Sequence, residues 1–222
     1  QRIDRIYLYG SGDSLNAAVC AAQAFSRFAR IPTTPISALQ ASRYLAATLT
    51  AEQASRTLAV CISNSGEATR TAEAAMALRA CGCQTAAITA RPESRAGRAT
   101  EYIFPLDIPA FPSPIPLPGT RSFVAPVLGL YLLAVSFGRR LGAITGEEAD
   151  GLVDELKSLS GIMADAFADG HDTLKAFAVA CGQCQRLEFL GAGPCRGAGD
   201  FGLSKVLEAV GTTVVSQEME EY

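Results

Sequence analysis

The segment that most constrains the fold is Thr57-Leu58-Ala59-Val60-Cys61-Ile62, an uncharged run that passes at once into Ser63-Asn64-Ser65-Gly66 and then into a helix-forming stretch from about Glu67 to Ala80. A strand with one wet face alternates apolar and polar residues; an unbroken apolar run fits a strand covered on both sides. Covering both sides takes helices, so this segment predicts the centre of a parallel sheet. Its neighbours follow the same order. Arg5 to Tyr9 reads as a strand ending at Gly10-Ser11-Gly12-Asp13-Ser14, and Leu15 to Arg30 has helical periodicity and stops before Pro32. Pro35 to Ser37 reads as a short strand and Leu39 to Leu45 as a short helix. Thr85 to Thr89 and Tyr102 to Leu106 are further strands, Asp107 to Gly119 is a proline-dense loop, and Arg121 to Leu141 is a long apolar helix. The expected fold is a flavodoxin-like three-layer α/β/α sandwich around a parallel sheet.

Beyond Gly142 the pattern changes and then returns. A charged amphipathic helix over Glu147 to Phe167 reads as a linker, with a further helix after His171. Arg186 to Leu190 followed by Gly191-Ala192-Gly193-Pro194-Cys195 and a helix to Val210 repeats the opening strand, glycine loop and helix, and Thr212 to Ser216 is one more strand. The expected organisation is a first domain over 1–143, a linker helix over 144–170, and the beginning of a second, similar domain over 171–222. A lone strand–helix–strand exposes edges and an apolar face. We therefore expect the natural protein to continue or another chain to complete it, and a homo-oligomer.

Composition removes several classes. The net charge of −3 gives no electrostatic case for nucleic acid or an anionic membrane. The apolar run Phe123 to Phe137 is short for a bilayer span, and the opening residues do not read as a signal peptide. The cysteines, Cys20, Cys61, Cys81, Cys83, Cys181, Cys184 and Cys195, sit in apolar segments and suit a reducing cytoplasm. Cys181 and Cys184 have the spacing of a zinc half-site, but no second half-site follows and His171 is the only histidine, so neither a metal nor a cofactor is expected.

In a parallel sheet, ligands bind beyond the carboxyl ends of the strands. Three loops belong there. Ser63-Asn64-Ser65-Gly66-Glu67-Ala68-Thr69 joins the buried strand to a helix N-terminus, where unpaired N–H groups and hydroxyls suit an anion or a sugar; the alternative is that Ser63 or Ser65 caps the helix. It holds no lysine and is not a nucleotide P-loop. Ser11, Gly12, Asp13 and Ser14 form the second loop, with Asp13 equally readable as a helix cap. The third loop, Leu117 to Ser122 with Thr120, is uninformative alone. Lys205 and Glu208 share a helix face, which is also the pattern of a solvated ion pair.

In this order, Gly-Ser-Gly-Asp-Ser, Ser-Asn-Ser-Gly-Glu, Gly-Thr-Arg-Ser-Phe, and Gly-Ala-Gly-Pro followed by Lys205-Val206-Leu207-Glu208 resemble the sugar isomerase (SIS) family. The likeness is to its double-SIS members, such as the isomerase half of glucosamine-6-phosphate synthase, the fructosamine-phosphate deglycases, and the amino-sugar-phosphate isomerases and deaminases. The resemblance implies a small-molecule sugar or sugar-phosphate ligand. Ser63, Asn64, Ser65 and Gly66, with Thr69 beside them, would cradle the phosphate. Ser11, Gly12, Asp13, Ser14 and Thr120 would contact the substrate, with Glu208 moving a proton between C1 and C2 and Lys205 beside it. Glu221 matches the acidic residue ahead of the family's ring-opening histidine. The implied activity is isomerisation, or amino-sugar-phosphate deamination or deglycation; the alternative is a non-catalytic sugar-phosphate sensor. Two departures stand out: Asp13 and Ala68 occupy positions where hydroxyl residues are common. A carboxylate near a phosphate is repulsive, so Arg70 is a candidate to compensate Asp13.

Overall fold

The computed structural model describes residues 2–109 and 118–222; most of the proline-dense loop expected over Asp107 to Gly119 lies outside them. The chain runs β1 (Arg5–Gly10), α1 (Asp13–Ala24), β2 (Thr33–Ser37), α2 (Ala38–Gln40), α3 (Ala46–Thr48), α4 (Ala51–Ser55), β3 (Thr57–Ile62), α5 (Thr69–Ala80), β4 (Gln84–Thr89), α6 (Arg95–Ala99), β5 (Tyr102–Pro105), α7 (Arg121–Arg140), α8 (Gly146–Cys181), β6 (Arg186–Gly191), α9 (Pro194–Val210) and β7 (Thr213–Glu218). Single π-helical turns extend α1 over Phe25–Ala29 and join α2 to α3 over Ala41–Leu45.

The first five strands form one parallel sheet in the order β2-β1-β3-β4-β5. All six residues of β3 are buried, as its unbroken apolar run requires. The period of two divides the core by size. Ile6, Leu8, Leu58, Val60, Ile62 and Ile88 face α1 and α7, meeting Phe25, Leu130 and Leu133. Tyr9, Ala59, Cys61 and Ala87 face the other way, against Ala74, Ala75 and Leu78 of α5. These are the three layers of the expected sandwich.

α7 is longer than the apolar run that marks it in the sequence. It is the one helix among the described residues that is long and apolar enough to cross a membrane, by length and composition alone. Here it buries Leu130, Leu133 and Ala134 in the sheet's core. α8 is one continuous helix of 36 residues where the sequence suggested two. Of the cysteines, Cys184 and Cys195 are exposed rather than buried in apolar segments.

β6 and β7 pair in parallel with α9 between them. The sequence repeat is also a conformational one: Gly12 ahead of α1 has φ 55 and ψ −129, and Gly193 ahead of α9 has φ 53 and ψ −129. A side chain disfavours that backbone, so both turns use glycine. The repeated helices meet: α9 lies against α1, and Phe201 of α9 stacks on Phe123 of α7 at 3.8 Å between ring centroids.

Candidate functional site

The sheet order places the site. After β1 the chain goes to one side to form β2; with β3 it returns to β1's other flank and builds outward to β5. The loops after β1 and β3 therefore leave in opposite directions from adjacent strands, which makes the carboxyl edge between them the switch point where sheets of this kind take ligands. Tyr9 pairs with Cys61, so the two loops begin side by side.

In the loop after β3, Ser63 Oγ accepts from the Gly66 N–H at 3.1 Å and Ser65 Oγ accepts from the Glu67 N–H at 3.3 Å. The hydroxyls thus brace the loop, which decides against either serine capping α5. The N-cap position is Ala68, which makes no side-chain cap bond, and Thr69 is the first helical residue. A hydroxyl that accepts one bond still has its O–H to donate, so the exposed Ser65 and an uncapped helix N-terminus remain available to an anion, with Ser63 buried behind them. Gly66 has a φ of 66, and its N–H feeds Ser63 while its carbonyl takes the Ala96 N–H at 2.9 Å. Asn64 Oδ1 is buried without a hydrogen-bond partner, an acceptor that a ligand hydroxyl could satisfy. Glu67, the one acid within this loop, is paired with Arg95 at 3.2 Å.

The loop after β1 brings in the second unit. Lys205 Nζ lies 2.8 Å from Asp13 Oδ2 and 2.7 Å from Glu208 Oε2, and 5.3 Å from the centre of the Phe201 ring. Its side chain is 15% exposed. Burial by itself would lower the lysine's pKa, but hydrogen bonds to Asp13 and Glu208 and their charges outweigh it and hold the pKa above the ordinary 10.5. The solvated-pair reading of Lys205 and Glu208 therefore fails for Lys205, which joins two carboxylates on different helices. Arg70 does not compensate Asp13, because it pairs with Glu73 at 2.5 Å. The Glu208 side chain is 52% exposed and faces an ammonium.

Ser14 packs against Gly10, where a Cβ would stand 2.6 Å from Ser14 Cβ. Ser11 is exposed at the tip of the same loop. Thr120 precedes α7, one turn from Phe123. Glu221 ends a short 3₁₀ turn after β7 and, among the described residues, has no bond to Asp13, Lys205 or Glu208. The structure thus joins Asp13, Lys205 and Glu208 directly and sets the serine loop on the neighbouring strand; among the described residues, it gives neither Thr120 nor Glu221 a side-chain bond to these three. Sequence reasoning missed Phe201 and Phe123. Phe201 was within reach of it, lying four residues before Lys205 on one helix face. A cavity of about 920 Å³ bounded by Leu58, Gln84, Ala86 and Phe137 opens at the opposite, amino edge of the sheet and touches none of these residues. The carboxyl edge carries the convergent polar groups and is the better candidate.

A parallel sheet with a serine turn at its switch point, followed by a second strand–helix–strand unit that lends a lysine and a glutamate, defines a class of α/β protein whose candidate site lies at the carboxyl edge of the sheet. The SIS domain family matches residues 1–136, and the chain belongs to that family. It is 31% identical over 172 residues to glutamine–fructose-6-phosphate aminotransferase (isomerizing) of Rhizobium meliloti, covering 76% of this chain and 26% of that one. Among solved structures, it superposes on the C-terminal domain of glucosamine-fructose-6-phosphate aminotransferase from Francisella tularensis with a TM-score of 0.86 at 18% identity, covering 99% of this chain and 60% of that one. Against glucosamine-6-phosphate deaminase from Thermotoga maritima the TM-score is 0.79 at 22% identity, covering 100% and 63%. The chain thus spans about a quarter of that aminotransferase's length.

Proposed function

We propose that this chain binds a phosphorylated sugar at the carboxyl edge between the loops after β1 and β3 and supports proton transfer between C1 and C2, as an isomerase or an amino-sugar-phosphate deaminase or deglycase. The observation that carries the reading is the Lys205 bridge. It sets a carboxylate, Glu208, and a charged donor side by side, at the edge where the serine loop offers donors to an anion. Removing a proton beside a carbonyl needs a base, and the negative charge that then develops on oxygen needs a donor. Glu208 takes the proton from one carbon and returns it to its neighbour. Two of the three N–H groups of Lys205 go to Asp13 and Glu208, which leaves one for the developing enediolate oxygen. Ser63 and Ser65 hold the far, phosphorylated end, so that binding energy away from the reacting carbons orients them. The relatives named for fructose 6-phosphate and glucosamine 6-phosphate support the same substrate class. We further propose that the protein is a soluble, cytoplasmic homo-oligomer.

The test is a thermal-shift and turnover panel of hexose, ketose and amino-sugar phosphates with their unphosphorylated counterparts. One phosphorylated sugar should raise the melting temperature. Ser65→Ala should weaken it roughly tenfold or more, the size of a lost charge-assisted hydrogen bond. Glu208→Gln should keep binding and lose about 10²-fold or more in turnover. Stabilisation by unphosphorylated sugars alone, unaffected by Ser65→Ala, would remove the phosphate from the reading. Binding with no turnover in any protein would leave a sensor.

A further inference from the structure

Asp13 stands in a loop expected to touch the substrate, yet a carboxylate there would meet a phosphorylated ligand with like charge. Its geometry gives it a different partner. Asp13 Oδ2 lies 2.8 Å from Lys205 Nζ, between residues 192 apart in sequence and on different helices, and the Asp13 side chain is 26% exposed. An ammonium partly shielded from water, as that of Lys205 is, holds its charge more firmly where carboxylates face it. Glu208 supplies one from the same helix, and Asp13 supplies the other from across the seam between the two units. The Phe201 ring, itself stacked on Phe123, closes a third side.

We propose that Asp13 is a positioning residue that acts through Lys205, fixing the ammonium beside Glu208 and holding it charged, and that it does not itself contact the substrate. Its catalytic consequence rests on the sugar-phosphate reading above; the clamp does not depend on which sugar binds. The charged groups that reach Lys205 are Asp13 from α1 and Glu208 from α9. Arg196 and Asp200, further along α9, are paired with each other at 3.1 Å. The α7 residues packed against this seam, Phe123 and Val127, carry no charge. From β7, Glu218 Oε2 accepts the Glu220 N–H at 2.7 Å. With Asp13 neutralised, one of the two carboxylates that keep Lys205 protonated is gone.

The experiment is competitive acylation of the intact protein across a pH series. Lys205 is quantified by peptide mass spectrometry against Lys157 and Lys175, the chain's other lysines, in the wild type, Asp13→Asn and Asp13→Glu. In Asp13→Asn the midpoint of Lys205 labelling should move to lower pH and its labelling at pH 9 should rise roughly fivefold, as its neutral fraction grows. Asp13→Glu should restore both, and Lys157 and Lys175 should not change. On the sugar phosphate identified above, Asp13→Asn should move the alkaline limb of kcat to lower pH with KM within about twofold. An unmoved Lys205 midpoint overturns the proposal, as does a KM that rises tenfold with the limb in place, the signature of direct substrate contact. If the wild type turns over no sugar phosphate, the labelling midpoint still decides the clamp, and the functional reading alone falls.

Discussion

The Lys205 side chain is 15% exposed, which takes part of the water from its ammonium, and the two carboxylates beside it offset that loss. Burial draws the pKa of Lys205 down, and the bonds and charges of Asp13 and Glu208 raise it further than burial lowers it. The pH dependence of stability follows from that direction. The folded-state pKa lies above the unfolded value of 10.5, so the stabilisation is fully present below pH 10.5 and is lost as pH rises through the higher folded value. Lys205→Met should therefore be less stable than the wild type by a margin that is level from pH 6 to 9 and narrows only above about 10.5. Denaturant titrations of both proteins across that range measure it. A margin that narrows between pH 6 and 9 would assign the stabilisation to some other group.

At the scale of elements, the site depends on how closely α9 approaches α1. Gly197 makes that approach possible: a Cβ there would stand 2.5 Å from the carbonyl oxygen of Asn16 and 2.7 Å from Cys20 Sγ. Backbone cannot give way as a flexible side-chain tip can, so Gly197→Val should push the helices apart and lengthen the Asp13–Lys205 bridge. We expect a loss of about 1–3 kcal/mol, typical of overpacking, and weaker turnover although no site residue is touched. Gly151→Ala on α8, where nothing lies within 4 Å of the new methyl group, should leave both unchanged. Melting curves and turnover on the two variants separate the seam from a general intolerance of side chains at helical glycines. The seam also marks where sequence reading stops. The strands were legible because β3 has no polar face to alternate with, and the loops because glycine and serine follow each strand directly. The Asp13–Lys205 bridge was not, since it exists only through packing between helices 192 residues apart. Nor was the continuity of α8: Gly170-His171 reads as an interruption, but one interior glycine costs only about 1 kcal/mol, and the helix runs through it.

At the scale of the whole molecule, the two sheets are covered to different extents. The five-stranded sheet has helices on both faces. The β6–β7 pair has α9 on one, and Leu190 is 40% exposed. α8 extends for about 54 Å at 1.5 Å per residue, and Met163, Phe167, Leu174 and Phe177 lie exposed along it at helical spacing. Such a stripe in a soluble protein marks a contact surface. In the proposed homo-oligomer a second copy of the chain would cover the stripe, because two copies of one long amphipathic helix can bury the same face on each other about a two-fold axis. In the intact protein, Phe167→Asp with Phe177→Asp should weaken self-association roughly a hundredfold, the loss of two aromatic anchors. Sedimentation velocity over a concentration series would read that change, and Lys205 labelling should stay as in the wild type because the seam lies within one chain. A wild type that sediments as a monomer at every concentration would rule out the second copy and leave the stripe to be covered from within the same polypeptide. Dissociation accompanied by a shift in Lys205 labelling would mean that the partner copy holds the seam closed, so that assembly and the ionic clamp at the site are one property.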